Sequence, residues 1–192
     1  CPHCGQSVRR RAWLVEVSTA VLFAALPFLL TNPIVLAVNT IHIAVLILII
    51  VIDLENRLIL DVVTYPATLF ALVGSLLVPA AENSIGLAVV GAVVAFLLFY
   101  LIYWIGQLIF GPGAFGFGDV KLAMLLGAML GFHRVFFALG LGVLGGGIIS
   151  AALLLSPRVS RDNYLPYGQY LAIAGIIMLI WGAQFAAPYL VN

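Results

Sequence analysis

Charge is what this sequence has least of. Only 8% of its 192 residues are Asp, Glu, Lys or Arg, against roughly a quarter in a soluble domain of ordinary composition. Eight basic residues nearly balance seven acidic ones, leaving a net charge of +1. That balance points away from a nucleic-acid or strongly acidic partner. Cysteine is almost as scarce. The two present sit together in Cys1-Pro2-His3-Cys4, which excludes a disulfide framework and suits a metal or a reducing compartment. No internal repeat or low-complexity segment stands out. Arg9, Arg10 and Arg11 precede an apolar run, but no small-residue cleavage site follows, so no secretory signal peptide is expected. The chain opens on Cys1 rather than methionine, as a fragment or a processed form would.

What is abundant is apolar. Hydrophobic residues make up 65% of the chain and mean hydropathy is +1.24, which together predict an integral membrane protein. A membrane span needs about 20 apolar residues, and the chain offers about seven such stretches. They run approximately Ala12 to Leu30, Ile34 to Ile52, Val62 to Ala80, Ile85 to Ile109, Val120 to Phe132, Val135 to Leu155 and Leu165 to Ala187. Turn signals separate them at Thr31-Asn32-Pro33, Glu82-Asn83, Gly111 to Gly118, His133-Arg134 and Ser156 to Asn163. The expected fold is an all-α polytopic bundle forming a single domain over 12–192. Gly127 and Gly131, and Gly142 and Gly146, have the spacing that lets membrane helices pack closely. Basic residues concentrate on the cytoplasmic side of membrane proteins. With the N-terminus inside, Arg9 to Arg11, Arg57, Lys121, Arg158 and Arg161 all fall in cytoplasmic segments, and only Arg134 falls outside.

Against this background two carboxylates stand out. An ionisable residue at membrane depth is costly and therefore a functional candidate. Asp53 ends the apolar run from Ile41 to Ile52, and Asp119 follows the glycine-rich break Gly111-Pro112-Gly113-Ala114-Phe115-Gly116-Phe117-Gly118. The orientation above puts both at one depth, near the cytoplasmic boundary, although they are far apart in sequence. That coincidence predicts a shared site. The break also matches GxGxxG literally, but a dinucleotide fingerprint needs a βαβ context, and its flanks here are membrane spans. Asp119 alone could be a helix N-cap, and Asp53 alone an acid emerging into water. Glu55, Asp61 and Asp162 read as solvated loop acids, and Lys121 as an interfacial residue that could also tune the pair or anchor a substrate. His42 reads as a packed, hydrogen-bonded side chain and His133 as a loop residue.

Gly116-Phe117-Gly118-Asp119 is a GxGD motif, and the stretch GFGDVKLAMLLGAMLGF resembles the second catalytic segment of the type IV prepilin peptidases. Ile52 to Asp61, with Pro66 five residues on, resembles the first, although Leu60 stands where that family usually has proline. Leu165-Pro166-Tyr167-Gly168-Gln169 resembles a proline-aromatic-glycine-proline segment, with Gln169 replacing the last proline. The stretch CPHCGQSVRRRAWLVEVSTAVLF resembles the second half of a cytoplasmic zinc loop, so residues 1–11 read as its remnant.

The resemblance implies a membrane aspartic endopeptidase with Asp53 and Asp119 as its dyad. Its substrates would be precursors of type IV pilins or type II secretion pseudopilins, cut between a glycine and usually a phenylalanine. It would work at the cytoplasmic face of the bacterial inner (plasma) membrane, with the lipid bilayer as its other partner. Proteolysis would need no cofactor. Zinc on Cys1, Cys4 and an upstream pair, and N-methylation with S-adenosylmethionine, are implied for full-length members. Two alternatives are a presenilin-like or signal-peptide-peptidase-like protease, which shares GxGD, and a proton-coupled transporter. A transporter's acids are expected near the bilayer midplane.

Overall fold

The structure, a computed structural model, describes residues 10–79, 83–111, 115–154 and 167–190. These form six helices: α1 (Arg10–Leu29), α2 (Pro33–Asn56), α3 (Asp61–Gly74), α4 (Ile85–Phe110), α5 (Phe117–Leu154) and α6 (Gly168–Leu190). Local chemistry sets several ends. Asn32 accepts from the N–H groups of Ile34 and Val35 at 3.0 and 3.3 Å, with Pro33 in the first turn, where its missing N–H is no loss. Ser84 caps α4 by accepting from the Leu87 N–H.

The fifth and sixth expected spans are the two arms of α5. Gly131 interrupts that helix with φ 74° and ψ 172°, a backbone region open essentially to glycine alone. The side-chain neighbours show that the chain reverses there. Gly168, Gly175 and Gly182 of α6 face Asp119, Leu126 and Arg134 in turn, so the first arm runs parallel to α6. Beyond the break, Gly142 faces Leu171 and Gly146 faces Tyr170 and Tyr167, so the second arm runs back. On α2, Asn39 donates to the Leu179 carbonyl at 3.1 Å, while the Gln169 N–H donates to Asp53 at 3.0 Å. Rising numbers on α2 thus meet falling numbers on α6.

The expected seven segments are therefore present as six helices, one of them folded back on itself, and no strand occurs among the described residues. Four helices are long and apolar enough to cross a membrane, while Asp61–Gly74 and Gly168–Gly182 are shorter apolar helices. The third expected span is cut short, since α3 ends at Gly74 and turns follow.

Ile43, Leu46 and Ile49 of α2 pack with Leu122, Leu125 and Leu126 of α5 and Leu171 of α6 in the buried core. Outward faces stay apolar, with Leu97, Leu101 and Leu108 of α4 exposed. Lipid gains nothing from burying such residues, so close backbone contact must hold the helices together. A Cβ built on Gly91 would lie 2.6 Å from the Gly127 carbonyl oxygen. Here α4 and α5 touch backbone to backbone, so the expected packing role of Gly127 is seen, with Gly91 its partner.

Candidate active site

Each acid ends a buried helical stripe. On α2 the buried positions Val35, Val38, His42, Leu46, Ile49 and Asp53 recur every three or four residues, which keeps one face turned toward α6. Asp53 is the last of them and is only 4% exposed, so it points into the bundle rather than into a loop. The helix stops one turn later because Arg57 adopts the left-handed conformation, φ 55°, and returns its N–H to the Asp53 carbonyl. On α5 the stripe runs Asp119, Leu122, Leu126, Leu130, and Asp119 is 5% exposed. Asp119 lies in the first turn of the helix rather than at its N-cap, where the helix dipole favours a carboxylate.

The first turn of α6 brings the two acids together. Gly168 has no side chain, and the point where its Cβ would sit lies 3.1 Å from Asp53 Oδ2 and 3.3 Å from Asp119 Oδ1. The two oxygens can be no farther apart than the sum of those distances. The nearest other side-chain atom to that point is Ile59 Cδ1, at 2.9 Å. The missing side chain thus lets both carboxylates close on the first turn of α6. The next residue, Gln169, donates its backbone N–H to Asp53 Oδ2 at 3.0 Å. A proline there would have no N–H to give.

The acids open onto a cavity of about 200 Å3 walled in part by Ile59, Phe117, Lys121 and Tyr167. The Lys121 ammonium pairs with Asp61 at the start of α3 and lies 5.1 Å from the Phe117 ring centroid. Asp61 is exposed, as expected of a surface acid, but it heads α3 rather than lying in a loop, and it ties α3 to α5 at the edge of the site. Lys121 is largely covered, its side chain 13% exposed. Tyr167 donates its hydroxyl to the Val143 carbonyl at 2.7 Å. Burial, and secondarily the Asp119 charge, push its phenol above the ordinary tyrosine range, so it stays a neutral donor.

Other expected residues lie elsewhere. His42 is packed edge-on against Phe70 but is not hydrogen-bonded, because neither ring nitrogen has a partner. His133 sits in α5 rather than in a loop, its ring against Phe132. Glu55 is exposed at the end of α2. Cys1, His3, Cys4, Pro112 to Ala114, Arg158, Arg161, Asp162, Leu165 and Pro166 lie outside the described residues. No cluster of three or more His, Cys, Asp or Glu suited to a metal occurs among the described residues.

Sequence reasoning missed three contributors: Ile59, Gly168 as the spacer between the acids, and the Gln169 N–H. Ile59 carried no signal, being one aliphatic residue among many. Gly168 and Gln169 were visible only as part of a motif, with no sign of what they face.

Comparison with known proteins bears on the whole chain. A profile of the type IV leader peptidase family matches residues 40–151, which include both acids. A prepilin leader peptidase/N-methyltransferase of Aeromonas hydrophila is 34% identical over 196 residues, covering 100% of this chain and 66% of that protein. Proteins of the same name from Pseudomonas aeruginosa and Dichelobacter nodosus are 30% and 29% identical, covering 99% and 96% of this chain. The chain spans 65% and 62% of their respective lengths. No solved structure matches significantly. With GxGD at the head of a membrane helix, a second buried acid beside it, and a match running through both, this chain belongs to the type IV leader peptidase family.

Proposed function

We propose that this chain is the peptidase part of an aspartic endopeptidase that removes the basic leader from type IV prepilins or type II secretion pseudopilins. Asp53 and Asp119 are its catalytic dyad, working at the cytoplasmic face of the bacterial plasma membrane. One observation carries the reading: both carboxylates, buried and far apart in sequence, close on the bare α-carbon of Gly168 at the wall of one cavity. A water entering that cavity between them would have a base and an acid in reach at once.

Two buried carboxylates so close share one proton, because like charges a few ångströms apart cannot both persist. The Gln169 N–H favours the ionised form of Asp53, so the shared proton rests on Asp119. Asp53 takes one proton from the water as its oxygen attacks the scissile carbonyl carbon. Asp119 gives its proton to the carbonyl oxygen, which leaves a neutral gem-diol. In the second step Asp53 passes its proton to the amide nitrogen, the C–N bond breaks, and a gem-diol hydroxyl returns its proton to Asp119. The pair ends as it began, and water is the only reagent consumed.

Location supports the same reading. Both acids lie at the end of the bundle where Arg57 and Lys121 are found, while Arg134 lies at the other end, just past the Gly131 break of α5. Basic residues favour the cytoplasmic side, which is where a basic leader would remain while an apolar pilin helix occupies the bilayer. Cys1 and Cys4 would supply half of the four ligands that structural zinc takes. Methyl transfer from S-adenosylmethionine does not enter the cleavage chemistry.

The test is cleavage of a prepilin by membranes carrying Asp53→Asn or Asp119→Asn. Each is expected to leave the precursor intact, and processing that persists in either variant refutes the assignment.

A further inference from the structure

The loop between α2 and α3, Arg57 to Leu60, lies against the dyad, and one of its side chains turns inward. Leu58 and Leu60 are exposed, whereas Ile59 is half-buried. A Cβ built on Gly118 would meet Ile59 Cβ, Cγ1 and Cδ1 at 2.9, 3.3 and 3.4 Å. One built on Gly168 would meet Ile59 Cδ1 at 2.9 Å. Ile59 is thus seated against two glycines. Gly118 immediately precedes Asp119, and Gly168 faces both acids. A side chain on Gly118 would press on its Cβ and displace it, whereas one on Gly168 would meet only its flexible tip.

The seat is shaped for a hydrocarbon side chain, and it adjoins the point where a scissile carbonyl must be held. Its occupant is not locked in by secondary structure. Arg57 is the only non-glycine residue with positive φ among the described residues, and such a residue at a helix end marks a sharp change of chain direction. Leu60 is extended, with φ −78° and ψ 128°. Past Leu60 the loop is anchored by Asp61, through its ion pair with Lys121. Between these two fixed ends Ile59 can swing away without unfolding a helix.

We infer that Ile59 is a specificity-determining gate. In the free protein it fills the slot that the apolar side chain next to the scissile bond takes during cleavage. Its bulk limits which side chains are admitted there. This rests on the peptidase reading above. A substrate in extended form lays its backbone across Gly118 and Gly168, where no Cβ obstructs it, and displaces Ile59 as its own side chain enters.

The experiment uses the intact protein in membranes and a panel of prepilin precursors. The residue on either side of the cut is varied through Gly, Ala, Val and Phe. Cleavage is compared for wild type, Ile59→Ala, Ile59→Val and Ile59→Phe. Small differences in an apolar pocket change discrimination by about tenfold or more. At one of the two positions, Ile59→Ala is therefore expected to raise the kcat/KM ratio of the largest to the smallest side chain by about that factor, and Ile59→Phe to lower it. Ile59→Val falls between, and it carries the test if the alanine variant does not accumulate. An unchanged ranking in all variants overturns the gate, as does an equal loss on every substrate. Asp53→Asn and Asp119→Asn are run alongside. If they still cleave, the dyad reading fails. If they are inert while the Ile59 series is flat, only the gate fails.

Discussion

Replacing Gly168 with alanine tests the dyad at its narrowest point. The new methyl carbon would sit 3.1 Å from Asp53 Oδ2, 3.3 Å from Asp119 Oδ1 and 2.9 Å from Ile59 Cδ1. The isoleucine tip is flexible and can yield a few tenths of an ångström. The two carboxylates are also crowded, and a methyl that pushes them apart disrupts their hold on one shared water. Losing a positioned nucleophile and its base costs on the order of a thousandfold in rate, or about 4 kcal/mol. Stability should not follow. Gly168 does not have a left-handed φ, and alanine is the better helix former by up to about 1 kcal/mol. The assay is the rate of precursor cleavage in membranes, with thermal unfolding in detergent as the parallel measurement. Gly147→Ala is the control, since its Cβ would meet nothing within 4 Å, and its rate should match wild type. A Gly168→Ala protein that cleaves within about threefold of wild type would refute a mechanism that needs the two acids this close.

Gln169→Pro removes the N–H that favours ionised Asp53. Protonation becomes easier, so the acid limb of the pH–rate profile should move up; an unmoved limb would remove the N–H from the mechanism. In wild type the profile should be bell-shaped, lost at low pH as a second proton enters the pair and at high pH as the shared one leaves. A rate that rises or falls monotonically over the folded range contradicts the shared proton. Gly131→Ala forces a methyl into a backbone region open essentially to glycine and against the Asn83 side chain. It should cost about 2–3 kcal/mol by unfolding in detergent, and a neutral effect would mean the reversal of α5 does not depend on that conformation. His42→Leu should change stability by less than about 1 kcal/mol or improve it, because neither imidazole nitrogen has a partner to lose. A larger loss would reveal a bond made by the ring.

Much of this protein was legible from one dimension. Long apolar runs broken by Asn-Pro, Gly-Pro and His-Arg give helices by composition alone, because the backbone in hydrocarbon must satisfy its own hydrogen bonds. The acids could be singled out for the same reason, since so few charges occur in the chain. The spacing from Val35 to Asp53 even carries the direction in which Asp53 faces. What one dimension could not show is how segments distant in the chain meet. Nothing local says that Gly168 lies between Asp53 and Asp119, that the Gln169 N–H reaches a carboxylate 116 residues away, or that Asp61 closes on Lys121. The turn expected at His133-Arg134 comes two residues earlier, at Gly131, because a single backbone conformation open to glycine decides where the chain reverses. Periodicity records which face of a helix is apolar. Which side chains share a point in space depends on how close the backbones come, and the packing of several helices at once determines that.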